Sequence, residues 1–242
     1  MGNKQYDKIA DEYAEMENPP KTYVVIPTFH KIIGDVKGKS VLDLACGDGF
    51  FTRRLLELDP SEIMGIDISE EMIKKANQDG SGIEYLVGDV SRLQLNRQFD
   101  LITAVHLLNY SQTANELATI CEKTYDHLNG NGRFSTITIN PELKPMTEFE
   151  YERIFESVAK KDSFEDGDQV RVIVKEEGKD PFEFLTYYWT KETYEACLGN
   201  AGFRSIQWVD SVISQEGIEK YGSAYWEKYK QNHSAIGIVC EK

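Results

Sequence analysis

The segment 43–52, with the sequence DLACGDGFFT, carries the residues best suited to bind a ligand. It follows a short apolar run at 40–44 and opens a predicted helix at 52–58. Glycines at positions 47 and 49 allow the backbone to turn sharply and to approach a ligand closely. A GxG pair alone is a weak signal, because nucleotide-binding dehydrogenases show the same feature.

The residues around these glycines distinguish between ligands. Thr52 stands where the dinucleotide fingerprint has its third glycine or alanine. Asp43 precedes Gly47 by four residues, where its charge would repel a pyrophosphate and attract a cation. Two further acids follow predicted strands, Asp67 in GIDIS and Asp89 in GDVS. Each acid could instead cap the turn or helix that follows it, and Gly47 and Gly49 could serve a tight turn only.

S-adenosylmethionine has the chemical groups that these acids could bind. It is a sulfonium with an ammonium, a carboxylate, a ribose diol and an adenine, and it has no phosphate. One acid near the ammonium, one accepting from the ribose hydroxyls and one near the adenine amine would form charge-assisted hydrogen bonds. Such ligands bind at the carboxyl ends of the strands in open α/β sheets, where these acids are predicted to lie.

Alternating strands and helices over residues 40–140 predict an α/β fold with a parallel sheet and helices on both faces. The strands are predicted at 40–44, 63–68, 83–87, 99–105 and 133–139. The helices are predicted at 52–58, 70–78 and 114–128, and a turn at 130–132. After residue 140 a charged segment, 148–168, leads into a predicted hairpin of strands 169–175 and 182–189 with its turn at 178–181.

A helix is predicted at 190–201 with Thr190 as its N-cap, followed by strands at 203–209 and 234–241 with one Tyr- and Lys-rich helix between them. We expect a single domain over 1–242. Its parts are an N-terminal helical lid (1–37), a cofactor-binding core (38–140), an insertion that covers the substrate (141–190), and a C-terminal helix with the final strands (191–242).

The composition narrows the classes of partner. With 27 Lys and Arg against 41 Asp and Glu, the formal net charge of −14 repels phosphate backbones and anionic lipid, although the charge could serve solubility alone. A small neutral or cationic substrate is therefore favoured, with no nucleic acid and no membrane. Widely spaced cysteines without metal-ligand spacing predict reduced thiols, no metal and a cytoplasmic protein. We expect either a monomer or a homodimer.

The ordered set VLDLACGDGFFT, GIDIS, GDVSRL, FDLITAVHLLNY and LNGNGRF resembles the class I S-adenosylmethionine-dependent methyltransferases of small molecules. The resemblance covers residues 38–140. It implies a Rossmann-like fold with a seven-stranded, mostly parallel sheet, an antiparallel strand at one edge and a lid insertion. It also implies S-adenosylmethionine as cofactor and S-adenosylhomocysteine as product. The opening QYDKIADEY is similar to small-molecule members, in particular toxoflavin-type N-methyltransferases, which act on azapteridine rings.

The resemblance assigns cofactor contacts along the strand ends. The methionine part would be held by Asp43 and the backbone of Ala45, Gly47 and Gly49, and the ribose diol by Asp67. The other implied contacts are, for adenine, Ile68, Met72, Asp89 and Val90, and below the sulfonium, Ala104, Val105 and His106. Tyr6 and Tyr13, at helical spacing, belong either to the core or to a lid over the cofactor.

His106 follows the fourth predicted strand, where it would act either as a general base for an N–H or O–H, or as a residue that orients the substrate. Other predicted substrate contacts are Asn109, Tyr110, Asn140, Tyr188 and Trp189. The expected reaction is methyl transfer to N or O of a small, planar heterocyclic or aromatic metabolite. The alternatives are an NAD(P)-dependent oxidoreductase and a non-catalytic cofactor-binding regulator.

Overall fold

The computed structural model describes residues 20–146, 153–175 and 180–242. Tyr6, Tyr13 and the predicted helix that carries them lie outside these residues, and so do positions 178 and 179 of the predicted turn. The first described element is a π-helical turn, Lys21–Val25, which continues into α1, Ile26–Ile33.

Ten strands follow along the chain. They are β1 Ser40–Leu44, β2 Glu62–Asp67, β3 Glu84–Val87, β4 Phe99–Val105, β5 Leu128–Ile139, β6 Arg153–Ser157, β7 Gln169–Val174, β8 Phe182–Tyr187, β9 Arg204–Val209 and β10 Ala235–Glu241. The remaining α-helices are α2 Phe50–Leu56, α3 Glu70–Ala76, α4 Ala114–Asp126, α5 Lys191–Ala201, α6 Gln215–Tyr221 and α7 Ser223–Gln231. Short 3-10 helices lie at Asn77–Asp79, Val90–Arg92 and Leu108–Tyr110.

Seven of these strands form the main sheet, in the order β3-β2-β1-β4-β5-β10-β9. The first five strands pair in parallel, and β10 runs antiparallel to β5 and to β9. The α/β class and the seven-stranded, mostly parallel sheet with an antiparallel strand towards one edge are therefore confirmed. The strand order reverses between β1 and β4, so the carboxyl ends of these two strands border a natural ligand crevice.

Both faces of the main sheet are buried, which explains the nearly continuous apolar runs in β1 and β4. Neighbouring residues of a strand point to opposite faces, and here each face has its own helices. One face carries α4 and α5, with Leu42, Ile102, Leu117 and Leu198 among the packed side chains. The other face carries α1 and α2, with Val41, Leu101, Phe29 and Leu55 among them.

The second sheet is antiparallel and has the order β6-β7-β8. The predicted hairpin of β7 and β8 is confirmed, but β6 was missed inside the charged segment 148–168. Phe155, Val170 and Val172 of this sheet pack against Ile139, at the end of β5, and against Met146. The second sheet is thereby fixed near the carboxyl end of the main sheet.

Two smaller predictions were wrong. The turn expected at 130–132 is a bulge within β5, where Phe99 pairs with Leu128 and Leu101 already pairs with Arg133. Glycine inside a strand commonly marks such a bulge. The single helix expected before the last strand is two, because Gly222 adopts φ 80° between α6 and α7.

Within the ranges 20–146, 153–175 and 180–242, every helix is too short or too polar to cross a membrane.

Thr190 provides a test of the local energetics. Its side chain accepts a hydrogen bond from the backbone N–H of Thr193 and so caps α5. We expect Thr190→Ala to lower the free energy of unfolding by about 1 kcal/mol, measured by urea titration, because an N-terminal donor loses its partner. Thr119→Ala, on the exposed surface of α4, is the control and should cause no comparable loss, since alanine favours the helix interior.

Candidate active site

A cleft opens at the carboxyl ends of β1 and β4. Three groups of residues form most of its lining: the loop after β1, the segment after β4, and the second sheet. The first group is Asp43, Ala45, Cys46, Gly47, Asp48, Phe50 and Phe51; the second is Val105, His106, Asn109 and Tyr110; the third is Arg153, Phe155, Val172, Phe184 and Thr186. Lys21, Val25, Ile139 and Ser234 complete the lining.

The loop after β1 depends on left-handed backbone conformations at Ala45 (φ 53°), Gly47 (φ 56°) and Gly49 (φ 80°). The two glycines serve different purposes. A Cβ added at Gly47 would meet no atom within 4 Å, so this position faces open space. A Cβ at Gly49 would lie 2.8 Å from Nη1 of Arg53 and from Cζ of Tyr85. Gly47 thus leaves room in the cleft, whereas Gly49 allows close packing behind the loop.

Asp43 is buried, with 1% of its surface exposed. Its carboxylate accepts hydrogen bonds from Oγ1 of Thr52 at 2.7 Å and from Oγ1 of Thr103 at 2.8 Å. Burial raises the pKa of Asp43 to about 6, although both hydroxyl groups act in the opposite direction. The sequence identified Thr52 only as a departure from the dinucleotide fingerprint. Its structural role is to donate to the acid that precedes the glycine loop.

Asp67 and Asp89 both accept hydrogen bonds from backbone N–H groups, as the alternative of a capping role predicted. Asp67 accepts from the backbone N–H of Gly47 at 2.9 Å and of Ser69 at 2.8 Å, so it joins the end of β2 to the glycine loop. Asp89 accepts from the N–H and the hydroxyl group of Ser91 at 2.9 and 2.7 Å. A carboxylate oxygen can accept a second hydrogen bond, so these contacts leave room for the predicted ligand roles.

The adenine contacts expected from the sequence fall into two groups. Ile68 is 37% exposed and follows β2 directly. Beside it, Leu86 and Val87 of β3 are 38% and 50% exposed, so an apolar surface lies next to Asp67. The other apolar contacts expected for adenine, Met72 and Val90, are buried in the domain, and so is Ala104, which was expected below the sulfonium.

His106 lines the cleft and has a left-handed backbone conformation (φ 61°). Its backbone N–H donates to the backbone carbonyl of Ile137 at 2.7 Å. Such a conformation in a residue other than glycine costs energy and often marks a functional position. Burial and, to a smaller extent, the charge of Arg153 together lower the pKa of His106 to about 4, and a hydrogen bond with Asn109 opposes both effects. The imidazole is therefore uncharged at neutral pH and can accept a hydrogen bond.

Asn109 connects the cleft to the second sheet. Its Nδ2 donates to Oγ1 of Thr186 at 2.7 Å, and that hydroxyl group donates to the Asn109 carbonyl at 2.6 Å. Because both groups are buried, this pair fixes β8 against the segment after β4. Thr186 and Phe184, its neighbour on the same face of β8, contribute to the lining.

Three predicted substrate contacts lie outside the cleft lining. Nδ2 of Asn140 lies 3.0 Å from Nε2 of His233, and the side chain joins the ends of β5 and β10. The hydroxyl group of Tyr188 donates to the carbonyl of Pro141, and the indole N–H of Trp189 donates to that of Ser111 at 3.2 Å. The chain leaves β8 at Tyr187, so both aromatic residues turn into the core instead of continuing the cleft face.

Arg153 is the most important residue that the sequence reasoning missed. It begins β6 and lines the cleft while only 8% exposed. The alternation in the sequence RIFES places Arg153, Phe155 and Ser157 on one buried face, and this pattern was the available signal. Among the described residues, no group of three His, Cys, Asp or Glu side chains is arranged to hold a metal ion.

Comparison with known proteins identifies part of this architecture. Residues 41–132 match a protein family described as a methyltransferase domain. The matched segment is similar to that domain. It extends from β1 to the bulge of β5, so it includes the glycine loop, Asp67, Asp89 and His106. The second sheet, with Arg153, lies beyond the matched residues.

The chain is similar to methyltransferases with different acceptors. It is 28% identical over 168 residues to malonyl-[acyl-carrier protein] O-methyltransferase 1 of Ilyobacter polytropus, covering 61% of this chain and 58% of that protein. It is 29% identical over 136 residues to demethylmenaquinone methyltransferase of Lactococcus lactis, covering 53% of each. The chain thus spans little more than half the length of these relatives.

The methyltransferase fold extends beyond the matched domain. The crystal structure of an S-adenosylmethionine-dependent methyltransferase from Mesorhizobium loti aligns with a TM-score of 0.65 and 19% identity. The alignment covers 89% of this chain and 96% of that one. The two chains therefore share their overall fold, including most of the region outside residues 41–132.

Replacing Gly47 or Gly49 by alanine should lower the free energy of unfolding by different amounts. Gly47→Ala should lower the free energy of unfolding by about 1 to 2 kcal/mol, because alanine is strained at positive φ. Gly49→Ala should lose about 1 to 3 kcal/mol more, since its Cβ also overlaps Arg53 and Tyr85. Urea unfolding followed by circular dichroism measures both. Equal losses would contradict the distinction between an open and a packed glycine.

Proposed function

We propose that this chain transfers a methyl group from S-adenosylmethionine to N or O of a small, planar acceptor. The proposal rests on one observation, which is that the two sides of the cleft differ in chemistry. The glycine loop of a methyltransferase domain provides the ionisable Asp43, and the opposite side provides an uncharged His106 with aromatic neighbours. The first side suits a cationic nucleoside, and the second suits a flat organic molecule.

The cofactor side follows from the chemistry of the loop. When bound, S-adenosylmethionine supplies an electrophilic methyl group and leaves as the neutral thioether S-adenosylhomocysteine. The Asp43 carboxylate would attract the cationic end, and the open backbone at Gly47 would allow close approach. Asp67 would accept from the ribose hydroxyls while it keeps its bond to Gly47. The exposed Ile68 would cover one face of the adenine, with Asp89 near its amine.

The acceptor side depends on orientation and on exclusion of water. His106 can accept a hydrogen bond from an acceptor N–H or O–H, and this fixes the direction of the nucleophile. A group with a pKa near 4 is a weak base, so His106 would take the proton only once methylation has made it acidic. Phe155 and Phe184 would hold a flat ring and keep water out.

The acceptor itself is inferred from shape and from the N-terminal motif. The two named relatives are called after a malonyl carrier protein and demethylmenaquinone, so proteins with related domains serve unlike acceptors. A flat heteroaromatic ring is the class that we propose, because QYDKIADEY is similar to the toxoflavin-type enzymes and the cleft walls are aromatic.

Cofactor choice is the direct test of this function. In calorimetric titrations S-adenosylhomocysteine should bind and NADH should not, because a carboxylate in the loop repels a pyrophosphate. Asp67→Ala should weaken the binding of S-adenosylhomocysteine far more than His106→Ala does, while His106→Ala should lower turnover. Tight binding of NADH without a response to S-adenosylhomocysteine would point to an oxidoreductase. Cofactor binding without turnover on any heteroaromatic N–H or O–H acceptor would point to a regulator.

The raised pKa of Asp43 predicts a pH dependence. The ionised carboxylate attracts the cofactor cation, and protonation competes with it. The affinity for S-adenosylhomocysteine should therefore rise with pH up to about 6 and then level off, with at most about a tenfold change per pH unit below that value. Calorimetry between pH 5 and 8 measures this. Asp43→Asn should remove the dependence, whereas Asp48→Asn, at the neighbouring loop carboxylate, should retain it.

A further inference from the structure

The side-chain amide of Asn109 is held in one orientation by the hydroxyl group of Thr186. That hydroxyl group donates to the backbone carbonyl of Asn109 at 2.6 Å, so its single hydrogen is already used. The contact of 2.7 Å between Oγ1 of Thr186 and the Asn109 side chain therefore needs a donor on the amide, and Nδ2 is that donor. The Nδ2 end of the amide consequently faces β8, and Oδ1 is directed away from Thr186.

Burial makes this orientation costly to reverse. Asn109 is 2% exposed, and Thr186 is completely buried. Turning the amide over would place Oδ1 against Oγ1 of Thr186, so two acceptors would meet without a hydrogen between them. An unsatisfied polar contact of this kind is costly inside a protein. The Asn109 amide therefore differs from a surface amide, which can turn to suit its neighbours.

Oδ1 of Asn109 is left to accept hydrogen bonds on its other side. Oγ1 of Thr138, on β5, lies 3.5 Å away, at the limit for a hydrogen bond, and it also lies 2.8 Å from the hydroxyl oxygen of Tyr194. The imidazole of His106 makes a hydrogen bond with the Asn109 side chain, and this bond acts to raise the pKa of His106. An accepting partner has that effect on an imidazole, so Oδ1 accepts and a ring N–H donates.

The second ring nitrogen of His106 then has no hydrogen. Burial and, to a smaller extent, the charge of Arg153 lower the pKa of His106 to about 4, so the ring is uncharged at neutral pH. An uncharged imidazole has one N–H and one nitrogen with a lone pair. With the N–H directed at Asn109, the lone pair is on the other nitrogen. Because His106 lines the cleft, that nitrogen is the one available to a ligand there.

We propose that Asn109 is a positioning residue that fixes the tautomer of His106, so that the ring nitrogen presented to the methyl acceptor carries no hydrogen. The inference rests on the proposed function, in which His106 accepts a hydrogen bond from an acceptor N–H or O–H. The hydrogen bond made by one ring nitrogen of a histidine decides the state of the other. Asn109 was predicted from the sequence as a substrate contact, and in this proposal it acts through His106.

The proposal gives Thr186 a part in selecting the acceptor. Thr186 lies on β8, so the second sheet sets the orientation of an imidazole that it does not carry. The fixed tautomer favours an acceptor with an N–H or O–H at the reacting atom. A product that has lost its last such hydrogen cannot donate to His106 and is held less well. The opposite tautomer would place two donors against each other.

The tautomer of His106 can be measured without any acceptor. In the full chain labelled with ¹⁵N, long-range ¹H–¹⁵N spectra distinguish protonated from unprotonated ring nitrogens, and His106→Gln identifies the His106 signals among those of the four histidines. The wild type should show one tautomer in excess by about tenfold or more at pH 7.5, as one hydrogen bond of ordinary strength allows. Thr186→Val should reduce this excess several-fold, and Thr186→Ser, which keeps the hydroxyl group, should retain it.

Two further variants separate positioning from general packing. Thr138→Val is the matched control, because it removes another completely buried hydroxyl group near Asn109 but not the one that orients the amide. The tautomer ratio should not change. Asn109→Asp places a carboxylate beside the imidazole, which favours the protonated ring. The pKa of His106 should rise from about 4 by about one unit or more, measured from the pH dependence of its ring signals.

The inference is wrong if the wild type shows both tautomers in similar amounts, if Thr138→Val changes the ratio as much as Thr186→Val does, or if Thr186→Ser fails to retain it. Should Thr186→Val not fold, the wild-type ratio and the shift in Asn109→Asp decide the matter. Binding of S-adenosylhomocysteine is measured separately. Its failure would count against the proposed function, whereas the tautomer of His106 is determined with or without that ligand.

Discussion

The cleft depends on a buried carboxyl group at the centre of the main sheet. Asp43, on β1, accepts hydrogen bonds from Thr103 on β4 and from Thr52 on α2. These three elements meet where the strand order reverses. Removing a carboxylate from water is costly, and two hydroxyl donors offset only part of that cost. The same contacts hold the end of β1 to β4 and to the helix that follows the glycine loop.

Two parts of the chain supply the two sides of the site. The domain matched at 41–132 supplies the loop and the residues after β4, and the second sheet supplies the facing wall. The buried pair of Asn109 and Thr186 joins them. Arg153 belongs to that facing wall, which is why the methyltransferase motifs gave no indication of it.

The sequence predicted the elements whose signals are local. β4 has the predicted bounds, 99–105, because its apolar run is continuous, and the cap of α5 at Thr190 follows from a short-range hydrogen bond. β6 was missed because a polar or charged residue lies on each of its faces, Arg153 and Ser157 on one and Glu156 on the other. Charge in a short segment hides the alternation that marks a strand.

The sequence indicated many of the residues that line the cleft, but it did not indicate how they are arranged in space. The glycine loop, Val105, His106, Asn109 and Tyr110 line the cleft as expected, because they follow β1 and β4 in the chain. Tyr188 and Trp189 do not, since composition cannot show where a strand ends and its neighbours turn inward. The pKa values of Asp43 and His106 depend on burial and on contacts with residues such as Thr103 and Arg153, far away in the chain, which spacing cannot reveal.

The position of β10 has a consequence for how the protein is made. β10 lies between β5 and β9, and β9 pairs with β10 on its inner side. During synthesis β9 therefore emerges with no neighbour to join until residues 235–241 have followed it. Until then β5 presents an open edge. The five parallel strands can therefore pair with one another before β10 and β9 are added, and β10 is the strand that joins β9 to them.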